Sequence, residues 1–195
     1  LASAVPPCQA YDPAFAYELG VIVEDGLKRM FVDNEDIFYY LAVYNENYLQ
    51  PAAPSDLDRG ALLAGLYRFA DAPSDHSADA TIIFSGPAQA AARSAVALLA
   101  ENHGVGADLW SATSFKALRD EALSVERQNL LHPEDSVRVP FVTSQLGGGT
   151  GPVVAVTDFM RSVPDQISRW VGRDYASLGT DGFGRSDTRE RLREH

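Results

Sequence analysis

Apolar residues recur at helical spacing near the start of the chain. Phe15, Leu19, Ile22, Val23, Leu27 and Met30 fall on one stripe, which predicts an amphipathic helix. Asp12-Pro13 supplies its start, because the carboxylate can accept from the free N–H groups of the first turn and proline loses no hydrogen bond there. Asp33-Asn34-Glu35-Asp36 breaks the pattern, and the aromatic run over 37–44 predicts a buried strand that needs neighbours on both faces.

Residues 50–60 carry Pro51, Pro54 and Ser55-Asp56-Leu57-Asp58 and read as a connector. A short capped helix follows, with Leu62, Leu66 and Phe69 inward. Residues 71–78 are polar and rich in breakers, so a domain boundary belongs within 50–78.

From residue 79 strand and helix alternate. Strands are predicted over 80–85, 107–112, 152–157 and 175–179. Helices are predicted over 87–102 (Ala88, Ala92, Ala95 and Leu99 inward), 114–126 (Phe115, Leu118, Ala122 and Val125 inward) and 158–171 (Phe159, Val163, Ile167 and Trp170 inward). Pro164 either kinks the last helix or marks where it begins in earnest. Strands with few polar residues, separated by helices, predict an α/β fold with a mostly parallel sheet and helices on both faces.

Composition narrows the classes. The 195 residues include one Cys and carry a net charge of −11. A single Cys cannot form an internal disulfide, which points to a reducing, cytoplasmic setting. The acidic balance argues against nucleic acid as a partner. No apolar run reaches the length of a membrane span. The first residue is Leu and no signal-peptide pattern follows it, so the chain reads as a piece of a longer polypeptide.

Candidate chemistry is sparse. His76, His103, His132 and His195 show no metal-ligand spacing with one another or with Cys8. Ser85-Gly86-Pro87 joins a strand to a helix, a geometry that can bind an anion, but Pro87 removes a donor and a plain turn is the better reading. Gly147-Gly-Gly-Thr-Gly151 precedes a strand instead of opening a helix, so it reads as a flexible loop and not a phosphate cradle. No carboxylate has a flank that marks it for a raised pKa. Asn45-Glu-Asn-Tyr48 follows a strand, near the end where ligands and partners gather in α/β sheets, and Phe183 sits on a glycine-rich turn. Read bottom-up, the chain is an α/β piece without a catalytic constellation.

Six segments in order carry a resemblance: Tyr11-Asp-Pro-Ala-Phe-Ala-Tyr-Glu18, Asn45-Glu-Asn-Tyr48, Trp110-Ser-Ala-Thr-Ser-Phe115, Glu126-Arg-Gln-Asn-Leu-Leu-His-Pro133, Arg138-Val-Pro-Phe-Val142 and Gly179-Thr-Asp-Gly-Phe-Gly-Arg-Ser-Asp-Thr-Arg189. Together they resemble the C-terminal part of the homodimeric, bacterial-type pyruvate dehydrogenase E1 family. The resemblance implies a thiamine diphosphate enzyme, dependent on Mg²⁺, that decarboxylates pyruvate and reductively acetylates the lipoyl group of an E2 partner. It implies a three-layer α/β/α sandwich with a mixed sheet, one strand antiparallel. Residues 1–50 then correspond to the end of the pyrimidine-side domain, 51–78 to a linker and 79–195 to a transketolase-like C-terminal domain, truncated at its end.

The family binds the cofactor through a Gly-Asp-Gly…Asn motif and a Glu in other domains, and a substrate-handling His falls just upstream of the position matching Leu1. Thr180-Asp-Gly182 lacks the leading Gly, so no catalytic, cofactor-binding or metal residue is assigned to this chain. Pro164, the glycine-rich 147–151 loop and Gln128 depart from the family pattern. The expected role is scaffold and dimer surface, with Tyr44, Asn45, Asn47, Tyr48 and Phe183 as contact residues. The competing readings are a module that docks E2 or regulates assembly, and an independent anion-binding protein using the Ser85-Gly86 turn.

Overall fold

The computed structural model describes residues 2–45, 47–182 and 187–192. Among them the strands form two sheets, a parallel pair and a five-stranded mixed sheet. The pair is a β-α-β unit. Strand β1 (Cys8–Tyr11) leads into helix α1 (Ala16–Phe31), which returns the chain to β2 (Phe38–Leu41), parallel to β1.

The start of α1 corrects the expectation for Asp12. The helix begins at Ala16, and its first free amides are served by Glu18, whose Oε2 accepts from the N–H groups of Ala14 (2.5 Å) and Phe15 (3.0 Å). The inward face is also turned. Glu18, Val21, Ile22 and Gly26 are buried, whereas Val23 and Leu27 are exposed. At Gly26 the Tyr39 ring lies where a Cβ would be, 3.0 Å from Tyr39 Cζ, so β2 packs closely on this face. The strand predicted over 37–44 is only four residues long, and Phe38 and Tyr40 are half-exposed because β1 is its partner on one edge and α1 covers one face.

Helix α2 (Arg59–Ala64) is capped by Asp58, which accepts from Ala61 N–H at 2.9 Å. Gly65 ends it in the left-handed region, at φ 109°, and a Cβ there would meet Ser114 O at 2.5 Å. That stop corrects the longer helix expected through Leu66 and Phe69: Tyr67–Ala70 form β3, the antiparallel edge of the larger sheet.

The alternation after residue 78 is as expected. Strand β4 (Ala78–Phe84), a 3₁₀ turn over Gly86–Ala88, α3 (Gln89–His103), β5 (Gly106–Ser111) and α4 (Phe115–Leu131) follow in order. Ser114 caps α4 by accepting from Ala117 N–H at 3.0 Å. Then come α5 (Phe141–Leu146), which the pattern did not suggest, β6 (Val153–Val156), α6 (Ser168–Val171), β7 (Tyr175–Leu178) and α7 (Arg189–Leu192). The helix expected over 158–171 is shorter. It begins as a 3₁₀ turn at Pro164, where the ring cannot continue a helix already under way, and Phe159 faces outward.

The larger sheet has the order β3-β5-β4-β6-β7, with every pair parallel except β3–β5. Its alternating side chains feed two cores. Ile83 packs with Phe115, Leu118, Val142, Ile167 and Trp170 beneath α4, α5 and α6. Ile82 and Phe84 pack with Ala88, Ala92 and Phe15 beneath α3 and the start of α1. The result is a three-layer α/β/α sandwich. No described helix is long and apolar enough to cross a membrane.

Candidate functional site

In an open parallel sheet, ligands bind outside the carboxyl ends of the strands, where the chain order reverses. Here that point lies between β4 and β6. The Ser85 hydroxyl donates to Thr157 Oγ1 across it, at 3.0 Å.

The chain's own Asp12 enters this crevice. Its backbone is fixed on both sides, because Asp12 N–H donates to Thr113 O (2.7 Å) and Gly86 N–H donates to Asp12 O (3.2 Å). Gly86 sits at φ 49°, and a Cβ on it would lie 2.6 Å from Asp12 Oδ1 and 2.9 Å from the Tyr44 hydroxyl. Only glycine allows this approach. Tyr44 donates to Asp12 Oδ1 at 2.5 Å, while Oδ2 is buried without a hydrogen-bond partner.

Burial pushes the Asp12 carboxyl up to about 6. The Tyr44 and Ser85 hydroxyls pull against that, and Asp158 and Glu18 add to it. The Tyr44 hydroxyl rises above its ordinary value, through burial first and then the Asp12 charge. The Ser85-Gly86 turn is therefore filled by Asp12 instead of standing open to an anion.

Glu18 is the second buried carboxylate. Besides the two amides of its own turn it accepts from the Tyr67 hydroxyl (2.6 Å) and the Ser111 hydroxyl (2.7 Å). Tyr17 and Tyr67 share a further hydrogen bond at 2.6 Å. Burial raises the Glu18 carboxyl, and these four donors oppose the rise. The Tyr67 hydroxyl is raised by burial and by the Glu18 charge. Tyr67 is on β3 and Ser111 on β5, so one side chain ties α1 to two strands of the larger sheet.

Sequence reasoning missed both carboxylates. For Glu18 a signal existed, since it lies one turn before Ile22 and between Tyr17 and Leu19. Smaller ties finish the seam. Ser114 donates to Ala10 O (2.6 Å), Thr113 to Leu62 O (2.5 Å), Tyr11 to Leu63 O (2.8 Å) and Tyr48 to Ala14 O.

Of the residues expected at a contact surface, Tyr44 and Tyr48 are half-buried and turn their hydroxyls onto the chain itself, while Asn45 and Asn47 are exposed. Phe183 lies outside the described residues. The 147–151 loop, expected to be flexible, is held by Arg173, whose guanidinium donates to the carbonyls of Leu146, Thr150 and Gly151 and to the Thr81 hydroxyl. An apolar groove of about 550 Å³ runs beside the seam, lined by Cys8, Ala10, Phe38, Tyr40, Phe115 and Phe159. Among the described residues no three His, Cys, Asp or Glu side chains gather where a metal ion could be held. With its carboxylate turned onto Tyr44, the crevice does not fit a Mg²⁺-bound diphosphate.

Residues 65–195 match the family described as the transketolase-like TK C-terminal domain, and residues 1–51 match the pyruvate dehydrogenase E1 component middle domain. The chain is 49% identical over 196 residues to a pyruvate dehydrogenase E1 component from Mycolicibacterium smegmatis, covering 100% of this chain and 21% of that protein. It is 44% identical over 194 residues to that of Pseudomonas aeruginosa (99% and 22%) and 40% identical over 193 residues to that of Escherichia coli K12 (98% and 21%). The chain thus spans about a fifth of the length of these relatives.

Proposed function

The chain belongs to the transketolase-like C-terminal domain family, and on that premise we propose that it serves as the supporting part of a pyruvate dehydrogenase E1 component. The single observation that carries the reading is similarity along the whole chain, at 40–49% identity, to proteins of that name. In this reading the complete enzyme takes pyruvate, the product of glycolysis, in the cytoplasm, works as a homodimer and passes the acetyl group to the lipoyl arm of E2. Thiamine diphosphate with Mg²⁺ supplies the carbanion chemistry of decarboxylation and is held by other parts of the polypeptide.

We take residues 1–50 as the end of the pyrimidine-side domain and residues from 65 onward, which include the edge strand β3, as the C-terminal domain. The chain's own contribution is mechanical. Glu18 and Asp12 fix the end of one domain on the sheet of the next, so that groups carried by the first are held in register. The half-exposed aromatic face of β2 and the apolar side of α1, with Phe31 73% exposed, support this reading, because such faces are normally covered by other protein surface.

The test compares the complete E1 polypeptide with residues 1–195 alone, each supplied with thiamine diphosphate, Mg²⁺ and pyruvate. Release of CO₂ by the complete polypeptide only is the expected result. Turnover by residues 1–195 would overturn the supporting role, and capture of immobilised E2 by this piece would instead favour a docking module.

A further inference from the structure

The seam between the β1–α1–β2 unit and the larger sheet contains a carboxylate whose surroundings suit its neutral form better than its charged one. Asp12 is clamped by two backbone hydrogen bonds, to Thr113 and from Gly86, that cross this seam. Its Oδ1 accepts from Tyr44 and its Oδ2 is buried with no hydrogen-bond partner, the neighbouring Ser85 hydroxyl donating to Thr157. A buried carboxylate normally collects two or more donors, as Glu18 does nearby with four.

The charged and titratable groups around it do not make up the deficit. Tyr44 approaches from the segment after β2, Asp158 from the end of β6 and Glu18 from α1, and Tyr40 on β2 lines the same groove. On α4, Lys116 shares the groove wall with Asp12 but donates to Asp120 at 2.5 Å. Among the described residues no Lys, Arg or His forms an ion pair with Asp12. Of the charges that act on it, Asp158 and Glu18 both raise the carboxyl.

We propose that Asp12, seated on the Gly86 turn and held by Tyr44, is a pH-sensitive joint between the two units: protonated, it closes the seam, and ionised, it loosens it. Ionisation places a buried negative charge facing Asp158 and Glu18, and the seam can relieve it only by opening to water. Gly86 itself has no side chain that could follow Asp12 and fill the space. Loosening should therefore be confined to the crevice, with the far ends of β4 and β6 unaffected. Burial raises the carboxyl from 3.8 to about 6, so the joint responds between about pH 4 and 6.5. The inference concerns the fold alone and stands whether or not the E1 reading holds.

Amide hydrogen exchange on the 195-residue chain, corrected for the intrinsic pH dependence of exchange, tests it. Protection of the Asp12 and Gly86 amides should fall between about pH 4 and 6.5, by up to about a hundredfold for a displacement of roughly two pK units. Protection of the Val153 amide, bonded to Asp174 O at the opposite end of the sheet, should not change. In Asp12→Asn the pH dependence at Gly86 should vanish. Unchanged protection at Asp12 and Gly86, or the same pH dependence in Asp12→Asn, overturns the proposal. If that variant does not fold, the carboxyl carbon resonance of Asp12 in the native chain decides: titration near pH 6 supports the joint, and titration at or below pH 4 overturns it.

Discussion

The Glu18 carboxylate and the Tyr67 hydroxyl meet at 2.6 Å in a place closed to solvent, one on the first helix and the other on the antiparallel edge strand 49 residues later. Four donors converge on this carboxyl and oppose the rise that burial causes. Removing the acceptor leaves them all unsatisfied. Glu18→Ala should therefore cost about 3–5 kcal/mol. Glu18→Gln, which keeps the shape but turns an amide donor toward donors, should cost about 1–3 kcal/mol. Urea unfolding midpoints of the two variants, with Ser111→Ala as the milder comparison, measure this order.

Two left-handed glycines should respond differently to the same change. Gly104 ends α3 at φ 63° with open space where a methyl group would stand, whereas Gly86 at φ 49° has Asp12 and Tyr44 in the way. Gly104→Ala should cost about 1 kcal/mol from backbone strain alone, and Gly86→Ala about 2–4 kcal/mol because the seam must also shift. Equal losses in thermal unfolding would mean that the close approach of Asp12 to the turn carries no energy.

Much of this architecture is legible in the chain. Apolar blocks bounded by Ser85-Gly86, Gly104 and Ser114 give β4, α3, β5 and α4 nearly as they stand, because local turn chemistry and burial agree there. The seam is not legible. Glu18 is a charged residue whose partners lie 49 and 93 positions away, so no local pattern reveals that it is inside, and its burial turns the face of α1 away from the stripe of Leu19, Val23 and Leu27. Strand β3 was hidden for a related reason: Leu66 and Phe69 suit a helix face as well as a strand, and Gly65 decides between them. Tyr44 and Tyr48 look like outward contact residues until the fold supplies acceptors for their hydroxyls.

Stability should fall as the solution is made less acidic. The Asp12 carboxyl has an ordinary value of 3.8 and is pushed up to about 6 by folding, so the native chain holds a proton that the unfolded chain has already lost. A carboxyl raised by folding contributes most below its unfolded value, and the contribution disappears as pH rises through about 6, a change on the order of 3 kcal/mol. Glu18 is raised in the same direction, so Asp12→Asn should flatten the slope between pH 4 and 6.5 without abolishing it. Denaturant titrations at four pH values suffice to measure it.

Exposed apolar faces should make the chain associate. Val23, Leu27 and Phe31 lie on the outer side of α1, with Phe38 and Tyr40 on β2. Sedimentation velocity should show concentration-dependent dimers or larger species, and Leu27→Glu with Phe31→Glu should shift the population toward monomer. A single monomeric boundary at every concentration would contradict this expectation.

The central claim is that these residues support a thiamine diphosphate enzyme without holding the cofactor themselves. Calorimetric titration of thiamine diphosphate and Mg²⁺ into the 195-residue chain tests it most directly. The account predicts no saturable heat; a saturable isotherm with one cofactor per chain would contradict it.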